Sequence, residues 1–357
     1  MRKEDNAVKA AVFYGPGDIR VQEVAAPEAG PGDMIVRVRA AAVCGTDLRI
    51  FASGFNRPEL QGSGRGRILG HEVAGDVADA GKDVKEFRRG DRVAIAPNVG
   101  CGTCAECVRG LDHLCRDYKA IGIALDGGFA EYVLFPSRAI ARGNVCKIPP
   151  DLSYEEAAVN EPLSCCFNGL EACNVGPGDV VLVLGAGPIG ALHLLLARLA
   201  GARRLIISDL VEERLEAVER LGPDAAVNPT RDDLGKVVER ETHGRGADVV
   251  IVACSSPEAQ REALELAGLG GRINFFGGLP AGRENVTLNT NLIHYKQLVV
   301  TGTTRSSIHQ FRRTLDILAS RRIDIRPIIT DGFSLEEIHK AFESPGSLRG
   351  LKTVILP

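Results

Sequence analysis

The chain has 357 residues, of which 45% are hydrophobic, and its formal net charge is -3. This length exceeds what one core usually holds, so two domains are expected, and the balanced charge argues against a nucleic-acid-binding surface. The apolar runs are too short to cross a membrane. The polar N-terminus lacks the apolar core of a signal peptide, so we expect a cytoplasmic protein. Ten cysteines in such a protein favour metal ligands or free thiols over disulfides.

The first 150 residues have the pattern of a β-rich domain. Short runs of apolar and β-branched residues alternate with turns rich in Gly, Pro and Asp, such as GPGD at residues 15–18. The predicted strands are KAAVFY (9–14), MIVRVRAAAV (34–43), RVAIAP (92–97) and FAEYVLF (129–135). We see no internal repeat and no low-complexity segment.

From Gly178 onward the pattern changes to alternating strands and helices. In chain order the predicted elements are VVLVL (180–184), ALHLLLARLA (191–200), RLIISD (204–209), VEERLEAVERLG (211–222), ADVVIVAC (247–254), PEAQREALELAG (257–268) and GRINFFGG (271–278). This alternation predicts a parallel sheet with helices on both faces, an α/β fold. A last helix, HQFRRTLDILASRR (309–322), precedes a tail that we expect to return to the first domain. The predicted parts are residues 1–163, 164–303 and 304–357.

A glycine motif follows the first buried strand of this second part. Gly185, Gly187 and Gly190 form GAGPIG, a G-x-G-x-x-G that opens a helix. The first glycine makes the tight turn, the second lets the backbone approach a pyrophosphate, and the third lets helix and strand pack closely. The free N–H groups of the helix then bind the phosphates. The context predicts a dinucleotide site.

Asp209 ends the next predicted strand, about 20 residues after the glycine motif. At this separation along the sequence a carboxylate binds the adenosine ribose. Because that carboxylate would repel a 2′-phosphate, we expect NAD rather than NADP as the cofactor. Arg214 lies five residues further and could reach the adenosine end. The competing interpretations are a helix N-cap for Asp209 and a solvated helix face for Arg214.

Four cysteines form a dense cluster in CGTCAECVRGLDHLC, at residues 101–115. Cys101, Cys104, Cys107 and Cys115 have the spacing C-x2-C-x2-C-x7-C. Four thiolates match a closed tetrahedral zinc site, which leaves no coordination position for a substrate. We therefore predict a structural zinc that orders this lobe, with unmetallated free thiols as the alternative.

A second set of possible metal ligands is spread along the chain. Cys44 lies in VCGTDLRIF, His71 and Glu72 lie in ILGHEVAG, and Glu161 lies in NEPLSCC. A thiolate, an imidazole and carboxylates suit a catalytic zinc that keeps a position open for water or substrate. Each residue alone is ambiguous, since a lone cysteine is more often buried filler.

Together these motifs resemble the zinc-dependent medium-chain alcohol dehydrogenases, and within them the sorbitol or polyol dehydrogenase branch. The resemblance covers essentially the whole chain and depends on CGTD, GHEVAG, the four-cysteine lobe, EPLS, GAGPIG and Asp209 in the family's order. It implies a GroES-like catalytic domain (residues 1–163), a Rossmann cofactor domain (164–303) and a C-terminal return (304–357). It also implies two zinc ions per chain and a homo-oligomer, either dimer or tetramer.

The resemblance assigns roles to individual residues. Cys44 and His71 are expected to bind the catalytic zinc, with Glu72 at the metal and Glu161 acting directly or through water, while Cys165 competes with Glu161 for that position. Thr46 is expected to take the substrate proton. Ile189 and Arg305 are expected near the cofactor, and Arg305 also near the substrate, against the alternative of a surface arginine.

Three positions depart from the family pattern and bear on the substrate. Arg49 stands where many members have a proton-relaying histidine, Ile50 where the polyol branch has an aromatic residue, and Ser306 where it has a tyrosine. The expected substrate is a secondary hydroxyl of a polyol or cyclitol. The alternatives are a phosphorylated sugar alcohol, a threonine-type amino alcohol, and a non-catalytic NAD(H)-binding protein. Arg57, Arg65 and Arg67 could bind the phosphate of the first, against the alternative that they lie on a solvated loop.

Overall fold

The computed structural model describes residues 7–55, 65–343 and 350–357. Over these residues it confirms the predicted α/β class, with a β-rich first domain and a Rossmann-type second domain. Within those ranges, no helix combines the length and apolar character that crossing a bilayer requires.

The first domain is built from short strands joined by turns and short helices. Its elements are β1 (Ala7–Gly15), β2 (Asp18–Ala25), β3 (Met34–Ala42), α1 (Gly45–Ser53), β4 (Arg67–Ile68), β5 (Glu72–Ala80), β6 (Arg92–Ile95), β7 (Asn98–Val99), α2 (Ala105–Val108), β8 (Lys119–Ala120), β9 (Tyr132–Phe135), α3 (Ser137–Arg142) and β10 (Val145–Lys147). In β3, MIVRVRAAA, only Arg37 and Arg39 are exposed, and the other residues of the strand are buried in the core.

A long helix, α4 (Tyr154–Ala172), connects the two domains. It begins with a capping box, in which the Ser153 hydroxyl accepts the N–H of Glu156 and the Glu156 carboxylate accepts the N–H of Ser153. Most of the helix is buried, because it packs between the sheets of both domains and its apolar residues join one continuous core. The helix passes without interruption through residue 163, where the sequence placed a domain boundary.

The second domain is a doubly wound parallel sheet. Its elements are β11 (Val180–Leu184), α5 (Pro188–Leu199), β12 (Arg204–Ser208), α6 (Glu212–Glu219), β13 (Ala225–Val227), α7 (Leu234–Thr242), β14 (Ala247–Val252), α8 (Pro257–Leu266), β15 (Ala267–Phe275), α9 (Thr290–Tyr295) and β16 (Val299–Gly302). The strand order is β13-β12-β11-β14-β15-β16, and every pair is parallel. The direction in which successive strands are added to the sheet reverses beside β11. Sheets of this kind bind dinucleotides at such a reversal.

The C-terminal part adds strands to the first domain. Its elements are α10 (Ile308–Ala319), β17 (Ile329–Ser334), α11 (Ile338–Glu343) and β18 (Lys352–Leu356). β18 pairs with β3, so the larger first-domain sheet has the order β10-β6-β5-β3-β18-β17, with β9 also on β3. α10 packs against α4 on the way back. The last strand therefore lies beside the elements that carry the predicted metal ligands.

Candidate active site

A cleft between the two domains brings the predicted site residues together. It encloses about 590 Å³ and is lined by residues of both domains, of α4 and of the segment after β16. Among the residues that line it are Cys44, Thr46, Arg49, His71, Glu161, Cys165, Ile189 and Arg305. The cleft therefore places candidate metal ligands and candidate cofactor contacts in one cavity.

Cys44, His71 and Glu72 form a compact group at the base of this cleft. Cys44 precedes α1, and His71 and Glu72 lead into β5 after the left-handed turn at Gly70, whose φ is 92°. Their ligand atoms all lie within 4.8 Å of one another. A buried Oε2 of Glu72 has no hydrogen-bond partner, which is the state expected of an oxygen that awaits a cation. The S, N and O donor set fits zinc.

Asp47 holds this group in place, although the sequence analysis gave it no role. Its fully buried carboxylate accepts the N–H of Cys44 at 3.0 Å and of Gly70 at 3.4 Å, and lies 3.4 Å from Nδ1 of His71. Burial opposes the charged imidazole, but Asp47 and Cys44 outweigh it and raise the pKa of His71 well above its ordinary value. A carboxylate behind a metal-binding histidine fixes the orientation of the ring.

Lys352 is a second partner that the sequence analysis missed. Its Nζ donates to Oε1 of Glu72 at 2.6 Å and to the carbonyl of Val43 at 2.9 Å, and both side chains are buried. Burial raises the pKa of Glu72 to about 7 against the opposing charge of Lys352. The feature of the sequence that could have indicated this role is a lysine near the start of the mostly apolar C-terminal run LKTVILP.

Glu161 faces the cleft from α4, one residue before Pro162. Its Oε1 accepts a weak bond from Sγ of Cys165 at 3.6 Å, and burial raises its pKa. Its carboxylate stands outside the compact group of Cys44, His71 and Glu72 as that group is found in the described residues. A direct zinc bond, a bond through water and the competing role of Cys165 all stay predictions.

The four cysteines of residues 101–115 form a separate group, away from the cleft. Their sulfur atoms lie within 4.8 Å of one another, with Cys101 to Cys107 at 4.0 Å and Cys104 to Cys115 at 3.7 Å. The N–H groups of Thr103 and Cys104 donate to Sγ of Cys101 and lower its pKa to about 5. Backbone donors therefore favour the thiolate of Cys101, whereas burial and the neighbouring thiols raise the pKa of Cys104 and of Cys107.

The glycine motif has the geometry of a phosphate cradle. Gly185 ends β11 with φ 113°, and a Cβ on Gly190 would stand 1.9 Å from the carbonyl oxygen of Gly185, so only glycine fits there. Gly187 opens α5, and no heavy atom lies within 4 Å of the place a Cβ would take. The space beside this helix start is therefore open, as the approach of a pyrophosphate requires.

Asp209 lies at the end of β12, directly beside this turn. Its Oδ2 accepts the N–H of Ala186 at 2.7 Å and its Oδ1 accepts the N–H of Val211 at 3.0 Å. Val211, not Asp209, is the N-cap of α6. Arg214 on α6 places a guanidinium nitrogen 3.8 Å from Oδ2 of Asp209, so the two charges lie together at the adenosine end of the predicted site.

Two of the three arginines considered for the phosphorylated-alcohol alternative lie within the described residues. Arg67 and Arg65 both pair with Asp126, at 3.0 and 4.0 Å, and neither lines the cleft. Arg57 lies outside the described residues. Arg49 and Arg305 line the cleft instead.

The other two departures from the family pattern turn away from the cleft. Ile50 is buried in the first-domain core, and the Ser306 hydroxyl bonds that of Ser164 at 2.7 Å. Neither residue lines the cavity, so neither replaces a lost substrate contact there.

Comparisons with known proteins agree with this geometry. Residues 30–149 match the alcohol dehydrogenase GroES-like domain, and residues 188–320 match the zinc-binding dehydrogenase domain. The L-threonine 3-dehydrogenase of Pyrococcus furiosus is 34% identical over 90% of each chain, and the sorbitol dehydrogenase of Bacillus subtilis is 31% identical over 98% of this chain and 97% of its own. A Sinorhizobium meliloti protein solved with NADP bound is 35% identical, covers 98% of this chain and 99% of its own, and superposes with a TM-score of 0.88.

The fold, the metal-ligand group and these relatives define a zinc-binding dehydrogenase. The chain belongs to the zinc-dependent medium-chain alcohol dehydrogenase family and is an oxidoreductase that uses zinc and NAD(P). The predicted family, enzyme class and cofactor type are confirmed, whereas the choice between NAD and NADP and the roles of individual site residues stay predictions.

Proposed function

We propose that this enzyme transfers a hydride between NAD and a secondary hydroxyl of a polyol, cyclitol or related sugar alcohol. The observation that carries the proposal is that Cys44 and His71, which form a compact group with Glu72, line the same cleft as Ile189 at the start of the cofactor-binding helix. One cavity thus holds a place for the alcohol oxygen and a place for the nicotinamide.

The roles proposed for the residues follow from the chemistry of alcohol oxidation. Zinc held by Cys44, His71, Glu72 and Glu161 supplies Lewis acidity, and the nicotinamide supplies the hydride acceptor. Thr46 lies in the cleft beside Cys44 and takes the hydroxyl proton. Ile189 and Phe276 form apolar parts of the wall that exclude water from the reacting atoms.

The route of the proton beyond Thr46 involves neither Arg49 nor a histidine at that position. A guanidinium stays protonated in proteins, so Arg49 cannot accept a proton. We propose that the proton leaves through water or the cofactor ribose.

NAD is proposed as the cofactor because of Asp209. Its carboxylate already anchors the glycine turn, and it stands where a 2′-phosphate would be repelled. Arg214, 3.8 Å away, partly offsets this charge, so discrimination against NADP is expected to be finite.

A charged alcohol is the second candidate substrate, favoured by the charges of the cleft. Glu161 is the one acidic side chain among the described lining residues, and it is assigned to the metal. Arg49 and Arg305 then leave the cleft with an excess of positive charge, which suits a carboxylate or phosphate group. A threonine-type amino alcohol and a phosphorylated sugar alcohol both fit, and the threonine dehydrogenase relatives support the first.

A non-catalytic NAD(H)-binding protein is a hypothesis from a different class. A protein that only senses the cofactor has no use for the compact ligand group in the cleft. About two zinc ions per chain support the enzyme, and one or none would support the alternative.

We propose that the enzyme is a homo-oligomer, either dimer or tetramer. β16 is an edge strand of the second sheet, and Val299 on it is exposed, as are Leu269 and Tyr295 nearby. The N–H of Gly270 donates to the carbonyl of Lys296 at 2.7 Å, which joins these residues at one edge. An exposed apolar edge is a surface for a second copy.

A cytoplasmic location is proposed from the sulfur chemistry. None of the ten cysteines, all of which lie within the described residues, forms a disulfide, as is expected in a reducing compartment.

The test is NAD reduction by purified enzyme with a panel of polyols, cyclitols, L-threonine and sugar-alcohol phosphates, followed by NADH absorbance. Cys44→Ser is expected to abolish turnover and to leave NADH binding intact, because Cys44 belongs to the proposed metal site whereas the glycine motif binds the dinucleotide. Cys146→Ser, a buried thiol on β10 outside the cleft, is the matched control. Full turnover by Cys44→Ser would refute the assignment.

A further inference from the structure

A short segment between β16 and α10 joins three parts of the molecule. We call residues 305–308 the bridging segment. On one side it is bound to α4, because Nδ2 of Asn168 donates to the carbonyl of Arg305 at 3.0 Å and the Ser306 hydroxyl bonds the Ser164 hydroxyl at 2.7 Å. The same helix carries Glu161, so the segment is fixed to an element of the active site.

The opposite side of the bridging segment is bound to the four-cysteine lobe. The N–H of Ile308 donates to the Asp112 carboxylate, 3.3 Å from each oxygen. A guanidinium nitrogen of Arg305 donates to the carbonyl of His113 at 2.7 Å, and the same guanidinium lies 4.2 Å from the centre of the Tyr118 ring. Two of these contacts connect the lobe itself to a segment almost two hundred residues further along the chain, and the third connects that segment to Tyr118, just beyond the lobe.

Arg305 needs this support. Its φ is 58°, a left-handed backbone that is unfavourable for a non-glycine residue. Conformations of this kind persist where surrounding contacts hold them, and they concentrate at functional sites. Arg305 and Tyr118 both line the active-site cleft, whereas Asp112 does not. Asp112 can therefore affect the cleft only through the residues it holds.

We propose that Asp112 is a positioning residue, through which the four-cysteine lobe fixes the guanidinium of Arg305 in the wall of the active-site cleft. The lobe then does more than stabilise its own fold. It also holds the bridging segment, and with it Arg305, at the place where alcohol or cofactor binds. This inference rests on the proposed function, in which Arg305 contacts a bound ligand. It assigns the effect of the lobe to ligand affinity, not to the chemical step.

The experiment compares three single variants of the zinc-loaded enzyme. Asp112→Ala removes the acceptor of the Ile308 N–H, and we expect the KM of the alcohol to rise about tenfold with kcat within about twofold of the parent. Asp112→Asn keeps an acceptor oxygen and is expected to restore the parent KM. Arg109→Ala removes an exposed charge from the same lobe and serves as the matched control.

A double variant separates positioning from general stability. If Asp112 acts through Arg305, then Asp112→Ala changes the KM no further once Arg305→Ala is present. Full additivity of the two substitutions would refute the proposal. A lower melting temperature of Asp112→Ala with an unchanged KM would refute it as well.

A readout without turnover keeps the test independent of the proposed function. Hydrogen exchange of the backbone amides of residues 305–308 is expected to accelerate in Asp112→Ala and to stay unchanged in Arg109→Ala. Absence of alcohol oxidation in the parent would contradict the proposed function while this measurement still decides the role of Asp112. Unchanged exchange in Asp112→Ala would overturn the inference.

Discussion

Lys352 and Glu72 form a buried ion pair between two strands that come from distant parts of the chain. Nζ of Lys352 lies 2.6 Å from Oε1 of Glu72, and the two side chains are at most 5% exposed. The other carboxylate oxygen of Glu72 stays without a hydrogen-bond partner. One oxygen is therefore committed to a lysine while the other remains available to a metal.

Removing Lys352 is expected to destabilise the fold strongly. Lys352→Met leaves the Glu72 carboxylate buried and unpaired, which we expect to lower the free energy of unfolding by about 3–5 kcal/mol in urea denaturation. Lys9→Met breaks a pair of the same length with Glu336, but that pair is exposed, so little change is expected. Equal losses in the two variants would contradict the role given to the buried pair.

Asp209 is expected to decide the choice between the two nicotinamide cofactors. Asp209→Asn keeps oxygen and nitrogen atoms in place near the glycine turn but removes the negative charge. We expect the ratio of kcat/KM for NADP to that for NAD to rise about tenfold, because like-charge repulsion of the 2′-phosphate is lost. Glu213→Gln, an exposed neighbour on α6, is the control, and an unchanged ratio in Asp209→Asn would count against the assignment.

Arg49 is expected to select for charge in the substrate. If the second candidate is correct, Arg49→Gln lowers the preference for L-threonine over its amide, which lacks the carboxylate, or for a sugar-alcohol phosphate over the free alcohol, by about tenfold. Arg109→Gln, on the lobe surface, is expected to keep the preference. NADH affinity is measured in parallel by fluorescence, since a loss confined to NADH would place Arg49 at the cofactor phosphates instead.

His193 is expected to limit stability in acid. It is fully buried on α5, neither ring nitrogen has a hydrogen-bond partner, and burial lowers its pKa to about 3. The unfolded state binds a proton below the ordinary pKa near 6.5, whereas the folded state does not until about pH 3. The free energy of unfolding therefore falls as the pH drops through this window, by about 2 kcal/mol between pH 7 and pH 5.

His193→Leu removes this proton linkage and is expected to flatten the pH dependence by that amount in urea denaturation. His309→Gln, at an exposed position of α10, is the control and should keep the slope of the parent. A parent-like slope in His193→Leu would show that other groups cause the loss in acid.

The sequence predicted the parts of the fold that have a strong local pattern. The run VVLVL followed by GAGPIG indicates a buried strand and a phosphate turn without tertiary information, and both are present. The helix α4 received no prediction, although Ser153 and Glu156 have the capping-box spacing that marks its start. Pro162 inside that helix weakens the pattern that would otherwise have indicated it.

The site could be predicted where the residue types themselves indicate the chemistry. It could not be predicted where a role depends on which side chains become buried together. Cys44 and His71 are metal-ligand types in a recognisable motif, so their proximity could be expected. Lys352 gains its role only because β18 returns beside β3, which no spacing reveals. Likewise, Arg305 donates to the backbone carbonyl of His113. Every residue has such a carbonyl, so the sequence does not indicate this contact.

The position of β18 has a consequence for how the enzyme is made. A growing chain on the ribosome carries Cys44, His71 and Glu72 long before Lys352 is added. Until then the Glu72 carboxylate lacks the ammonium that neutralises it, and β3 lacks the neighbour that closes its edge. Stable enclosure of the metal-ligand group therefore requires that β18 has been made and has paired with β3.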